Sequence, residues 1–295
     1  MPDAHHLLTQ CHFPEATQHV DLAVSGGPDS LGLLLLARAA GLDVVVHHVN
    51  HHTRPSSDVD AVHVGSICAT LGVPFSCHDV TVAPGGNFEA RARSARRSVM
   101  PAGVLTGHTM DDLAETVLLN IVRGAGVDGL SPMVGDPTKP LRDVRRADLH
   151  DFVATSEFVA LHDETNDSAD YRRNRVRHEL IPVANDVAER DIVPVLARQA
   201  KLMYDERVWL DLLADGDGAL TLEEADCRDI RTWPVARQRR WLRERLRGAD
   251  KGDGAHPPSA DEVERALCVI AGTVVATELS GGRRLSRRDQ HLTLE

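Results

Sequence analysis

The residues Ser25, Gly26, Gly27, Pro28, Asp29 and Ser30 follow the segment Val20 to Val24, apolar except for Asp21, and lead into a leucine-rich segment. Two adjacent glycines let the chain turn sharply and aim successive N–H groups at an anion. The Ser25 and Ser30 hydroxyls add donors, and the N-terminus of the following helix adds the positive end of its dipole. Asp29 would repel phosphate unless a divalent cation bridged them, so the block implies a polyphosphate held with Mg2+ and makes Asp29 the candidate metal ligand. No Gly-Lys-Ser/Thr follows, which excludes the phosphate loop of kinases and GTPases. A plain strand-to-helix turn draws on the same residue types. The complete block behind a buried strand weighs against that simpler reading.

Two further clusters carry chemistry. His47, His48, Asn50, His51, His52 and Arg54 crowd the end of a valine-rich segment. Neighbouring histidines on a strand point to opposite faces and cannot all share one ion, so Asn50 and Arg54 are the better candidates for substrate contact. His108, Asp112 and Glu115 stand at i, i+4 and i+7, one face of a helical turn. An imidazole and two carboxylates there could bind an amine, move a proton or hold Mg2+. Stabilisation of a helix N-terminus would explain one aspartate, but not His108 and Glu115.

These groups need a scaffold, and the first half of the chain alternates strand and helix patterns. Strands are predicted over His19 to Val24, Asp43 to Val49, Val73 to Val80 and Gly103 to Thr106. Helices are predicted over Ser30 to Ala40, Asp58 to Leu71, Asn87 to Val99, Met110 to Arg123 and Asp143 to Val159. Repeated strand–helix units give an α/β fold, a parallel sheet with helices on both faces, whose ligands bind at the carboxyl ends of the strands. Beyond about Val183 the pattern changes to long helices, with a Gly/Pro linker over Lys251 to Pro258 and a last helix over Ala260 to Ile270. Val274 to Leu279 and His291 to Leu294 read as a closing strand pair. The expected domains are residues 1–185 and a smaller, mainly helical unit at 186–295.

The net charge is −11, which looks wrong for a nucleic-acid binder, so distribution matters more than the sum. Lysine occurs only at Lys139, Lys201 and Lys251, whereas arginines cluster at 142–146, 172–177, 228–247 and 283–288. Guanidinium groups grip phosphate with paired hydrogen bonds, although the 228–247 string could equally pair with interleaved acids. Cys11, Cys68, Cys77, Cys227 and Cys268 are odd in number and never spaced as Cys-x-x-Cys, which argues against disulfides, iron–sulfur clusters and structural zinc. The longest apolar run is too short to span a bilayer and no signal segment is visible, so a cytoplasmic protein without membrane contact is expected.

Ser25 to Ser30 resembles the signature of the PP-loop ATPases. Five further blocks, His48 to His52, Asn87 to Arg91, Thr106 to Thr116, Arg123 to Leu130 and Lys139 to Arg142, are similar to motifs of the tRNA(Ile)-lysidine synthetase family in the same order. So are Asp163 to Asn166 and Tyr171 to His178. The resemblance covers about the first 185 residues. It implies an adenine nucleotide α-hydrolase-like domain that binds ATP and Mg2+ at Ser25 to Ser30 and adenylates the wobble cytidine of tRNA(Ile). The amine of L-lysine then displaces AMP. It also implies catalytic roles for Asp29, His108, Asp112 and Glu115, substrate contacts from Asn50, Arg54, Arg91, Arg173 and Arg175, and a C-terminal unit that binds tRNA. A homodimer is compatible with it. Thr109 departs from the pattern where a second histidine is usual, and Leu113 where glutamine is usual. The alternatives are a PP-loop tRNA thiolase, which would want a cysteine pair, and a non-catalytic RNA-binding nucleotide sensor.

Overall fold

Val20 and Leu22 of β1 (His19–Ala23) and Val44 and Val46 of β2 (Asp43–Asn50) recur every second residue, and all four are buried. In the computed structural model, which describes residues 3–50, 52, 57–81, 88–161, 172–215, 220–248 and 258–295, these strands pair in parallel. Arg54, Asn87, the 162–171 stretch and most of the expected linker, 251–257, lie outside the described residues. The third strand, β3 (Phe75–Asp79), adds to β2, which is therefore central. The expected fourth strand contracts to one parallel bridge, Leu22 to Leu105. Two ladder hydrogen bonds, Ala23 N–H to Leu105 O and Leu105 N–H to Asp21 O, seat it beside β1.

Strand order thus reverses between β2 and Leu105 on either side of β1, and the loops after β1 and after Leu105 emerge side by side. That is where an open α/β sheet binds ligands. The sheet is flanked by helices. After a short α1 (Ala4–Leu8), the phosphate-loop segment enters α2 (Pro28–Ala39), and α3 (Ser57–Leu71) follows β2. α4 (Phe88–Val99) leads on to α5 (Met110–Val122). The helix expected over Asp143 to Val159 is shorter, α6 (Arg146–Ala154).

α6 packs on α2 through Leu149, which sits where any side chain at Gly32 would go: a Cβ there would lie 2.5 Å from Leu149 Cδ1. Leu149 is fully buried with Leu31, Leu33, Leu34 and Leu36 in the main core. Each such leucine contributes roughly 1.5–3 kcal/mol by leaving water. The close approach aims the N-terminal turns of α6 at the start of α2, a consequence that matters for the site.

Downstream, α7 (Arg172–Arg175) runs through a π-helical turn, Val176–Leu180, into α8 (Ile181–Ala188) and α9 (Val193–Asp215). Leu113, Ala114 and Val117 of α5 pack with Val193, Leu196, Ala197 and Ala200 of α9 in a second cluster. The chain forms two compact units, Met1–Tyr204 and Asp205–Glu295. The second holds α10 (Cys227–Ile230), α11 (Val235–Gly248), α12 (Ala260–Ala271) and an antiparallel sheet of β4 (Ala276–Glu278), β5 (Arg284–Arg288) and β6 (His291–Leu294). Trp241, Leu242, Val263, Ile270, Leu285 and Leu292 form its core. The expected pairing of the two end strands is corrected: β5 lies between them, an arginine-rich strand with one buried apolar residue, Leu285. No helix among the described residues is long and apolar enough to cross a membrane.

Candidate active site

Gly26 takes φ +94°, a left-handed conformation that only glycine adopts freely, and Gly27 caps α2 with Pro28 at its first position. The Ser30 hydroxyl ties the loop together, accepting from the N–H groups of Ser25 and Gly26 at 3.2 Å each and donating to the Gly27 carbonyl at 3.0 Å. The Ser25 hydroxyl lies 3.2 Å from that of Ser30. All six residues of the predicted phosphate loop are therefore in one turn. Gly107, on the neighbouring loop, closes against it: a Cβ there would meet the Asp29 carbonyl oxygen at 2.5 Å and its carbon at 2.8 Å. Only a residue without a side chain lets the two strand ends meet.

The next helix starts with a capping box. Thr109 is its N-cap, fully buried, and its N–H and hydroxyl both donate to Asp112 Oδ2, at 2.8 and 2.9 Å. The residue at the first family departure thus positions Asp112. The second departure, Leu113, is fully buried among the apolar residues of α5 and α9. His108 places Nδ1 2.7 Å from the Thr106 hydroxyl.

The carboxylates expected to meet an ammonium meet arginines. Glu115, with a fully buried side chain, accepts from Arg146 Nη1 at 2.9 Å, Arg173 Nε at 2.8 Å and Arg177 Nε at 2.7 Å. Asp112 Oδ1 accepts from Arg146 Nη2 at 2.7 Å and Arg173 Nη2 at 3.0 Å. Burial alone would push both carboxyls up. For Asp112 the Arg146 and Arg173 charges and the Thr109 N–H outweigh it, and for Glu115 the Arg177 hydrogen bond and the Arg146 charge do, so both stay below the usual carboxylate range. Burial would push the Arg146 guanidinium down, but the charges of Asp112, Glu115 and Asp29 outweigh it and push it up. Asp111 stands aside, taking Arg145 at 3.2 Å and the Arg146 N–H at 2.7 Å.

Arg146 also reaches the phosphate loop. Its Nε, buried and without a hydrogen-bond acceptor among the described residues, is 3.7 Å from Asp29 Oδ2. His150, one turn later on α6, places Nε2 2.7 Å from Asp29 Oδ1. An unused buried guanidinium N–H beside a glycine turn suits a polyphosphate. A single loop carboxylate suits Mg2+, which is commonly held by one or two carboxylates together with substrate phosphates. No cluster of three or more metal-ligating side chains occurs among the described residues.

The remaining candidates are dispersed. Asn50 is buried and occupied, donating to Asp58 Oδ1 at 2.7 Å and accepting from the His52 N–H at 3.0 Å. His47 bridges Asp21 at 2.8 Å and His78 at 2.9 Å, while His48 contacts the Val24 carbonyl through Nδ1 at 2.9 Å, so the histidine cluster knits the sheet. Burial pushes His48 down, against that hydrogen bond and the charge of Asp60. Arg91 lies exposed on α4.

Arg175 turns away from the carboxylates and pairs on the surface with Glu179 at 3.0 Å. Arg173 and Arg175 are both expected as substrate contacts, but on a helix the neighbour of Arg173 is Arg177. That spacing could have found Arg177, and the four-residue step from Arg146 to His150 could have joined those two. In the second unit the arginine string is largely paired: Arg239 with Glu264 and Arg240 with Asp211, each at 2.6 Å, while Arg237 stacks over Trp233 at 4.2 Å. Arg283 donates to the Ser280 and Leu246 carbonyls, whereas Arg284 and Arg288 are mostly exposed.

The chain is similar to known proteins. The family model described as a PP-loop domain matches residues 3–184. A tRNA(Ile)-lysidine synthase of Nocardia farcinica is 34% identical over 92% of this chain and 86% of its own length. One of Gloeobacter violaceus is 34% identical over 75% and 74%. Among solved structures, a U34-tRNA thiolase from Methanococcus maripaludis superposes with a TM-score of 0.51 at 14% identity, over 69% of this chain and 77% of that one, a likeness of fold alone. A phosphate loop and a carboxylate–arginine network at the switch point of a parallel sheet, in a chain so similar to these synthases along most of its length, place the protein in the PP-loop family and, within it, among the tRNA(Ile)-lysidine synthases.

Proposed function

We infer that this chain uses ATP to form lysidine on tRNA(Ile). The observation that carries this reading is Arg146, which joins Asp29 of the phosphate loop to Asp112 and Glu115 of the neighbouring loop and helix. The reaction needs a nucleotide phosphate and a second substrate at one point, and these two loops are where the sheet offers it. The family resemblance supplies the course. The oxygen on carbon 2 of the wobble cytidine attacks the α-phosphorus and pyrophosphate leaves; the ε-amine of lysine then attacks carbon 2 and AMP leaves. Mg2+ bound with ATP would neutralise phosphate charge, and Asp29 is the residue that would hold it.

The charges of the site suggest a division of labour. Asp29, Asp112 and Glu115 face Arg146, Arg173 and Arg177, so the network is balanced before any substrate enters. We assign Asp112 and Glu115 the task of aiming these guanidiniums at the reacting phosphate, where developing negative charge is stabilised. A lysine ammonium, whose ordinary pKa is about 10.4, must lose a proton before it attacks. His108, anchored to Thr106, is the group we assign to receive that proton.

The thiolase alternative finds less support. Burial pushes the Cys11 thiol up to about 12 and that of Cys68 to about 11, which leaves neither as a thiolate at neutral pH. The test is pyrophosphate release by the full chain with ATP, Mg2+ and tRNA(Ile) transcript, with and without lysine. Release is expected only with a cytidine at the wobble position, and lysine incorporation should follow it. Sulfide-dependent product, or release indifferent to the wobble base, would refute the reading.

A further inference from the structure

The carboxylate of Asp29 is held from one direction by two residues of α6. Arg146 and His150 are four apart and share a helix face; Arg146 Nε stands 3.7 Å from Oδ2, and His150 Nε2 stands 2.7 Å from Oδ1. His150 lies far from Asp29 in sequence and is carried to it by the packing of Leu149 against Gly32. The Asp29 side chain is 36% exposed, in the first turn of α2, and turns about two torsions. Without a partner such a carboxylate samples several rotamers, and each one it leaves open must be given up when it binds a cation. A ligating carboxylate whose second oxygen already accepts a hydrogen bond is oriented in advance.

We propose that His150 is a positioning residue for Asp29: by donating its Nε2–H to Oδ1 it fixes the carboxylate so that Oδ2 is presented to the magnesium of bound Mg·ATP. The proposal rests on the phosphate-loop reading given above. Arg146 cannot substitute, because its other nitrogens are committed to Asp112 and Glu115 and its Nε is beyond hydrogen-bond distance of Asp29. A rival reading gives the same contact the opposite meaning. If the imidazole occupies the place of the cation, removing it would strengthen magnesium binding.

The experiment measures ATP affinity by calorimetry on the full chain without tRNA, across a magnesium series and in EDTA, for the wild type, His150→Ala and His150→Gln. Outer-shell partners of metal ligands typically change affinity by about 10–100-fold, and since phosphates and water supply most of the magnesium shell, His150→Ala should raise the magnesium requirement by about tenfold. His150→Gln, which keeps a donor at similar reach, should recover most of that loss. ATP affinity in EDTA and the melting temperature should be unchanged in both variants, which a merely structural role would not produce. An unaltered magnesium dependence in His150→Ala, a tighter one, or an equal loss in EDTA would overturn the proposal. If the wild type itself binds no ATP, the phosphate-loop reading falls with it; if the wild type binds and only the His150 effect is missing, that reading stands.

Discussion

Replacing Glu115 by Gln tests whether the buried carboxylate is the anchor of the arginine network or a docking point for an ammonium. The side chain is fully buried and takes hydrogen bonds from three guanidiniums, at 2.7 to 2.9 Å for the shortest of each. Gln has nearly the same shape but no charge, and its NH2 faces donors. Removing one partner of a buried ion pair costs about 3–5 kcal/mol, because charge is left behind without compensation. Arg173 and Arg177, with side chains 34% and 27% exposed, can turn partly to water, whereas Arg146 at 14% cannot. The cost should therefore sit near the lower bound, about 3 kcal/mol. For a unit of this size each kcal/mol moves the midpoint by about 2–4 °C, so a fall of roughly 6–12 °C is expected.

The assay is thermal unfolding by fluorescence, with urea midpoints as a check and no substrate present. An ammonium-docking carboxylate would behave differently: without lysine it is an unpaired buried charge, and neutralising it would leave the protein as stable or more so. A melting temperature in Glu115→Gln equal to the wild type would refute the anchoring role.

Other perturbations separate the parts of the site. Arg177→Ala should slow single-turnover modification with tRNA saturating, while Arg175→Ala, which loses only a surface pair with Glu179, should leave rate and melting temperature unchanged. Gly107→Ala forces a Cβ onto the Asp29 backbone, so ATP affinity should drop at least tenfold, by roughly 1.4 kcal/mol or more, in a direct binding assay. Asp112 and Glu115 titrate below their ordinary values of 3.8 and 4.5, so their stabilisation is complete above those values and is lost as pH falls through the lowered ones. Urea midpoints should accordingly decline more shallowly below pH 4.5 in Glu115→Gln than in the wild type.

What could be read from the sequence was what chemistry keeps local. Ser25 to Ser30 are legible as a tight strand-to-helix turn because the glycine conformation, the helix start and the hydroxyl groups all lie within six residues. The strands of the parallel sheet were legible for the same reason, since Val20, Leu22, Val44 and Val46 carry their period in the chain itself. Pairings made by tertiary packing were not. Nothing near Glu115 says that Arg146 and Arg177 will occupy it, and nothing near Asp29 points to His150. β5 escaped because its arginines mask a strand whose burial comes from Leu285 alone. The partner of Asn50 was not legible either, because an amide at a strand end serves equally to bind a ligand or to hold the next helix, and here it donates to Asp58.

The two departures from the family pattern show how one carboxylate can keep its orientation while its neighbours change. Asp112 divides its oxygens: Oδ2 takes the N–H and hydroxyl of Thr109, and Oδ1 takes Arg146 and Arg173. A helix cap therefore fixes one side of the group that fixes two guanidiniums on the other. A threonine supplies that cap, since its hydroxyl both accepts from the Asp112 N–H and donates back to its carboxylate. Leu113 points to the opposite side of α5, into the cluster with α9, where a polar amide would need a buried partner. Position 109 thus acts on the site through Asp112, position 113 acts on the packing of the helix that carries it, and neither needs to touch a substrate to matter.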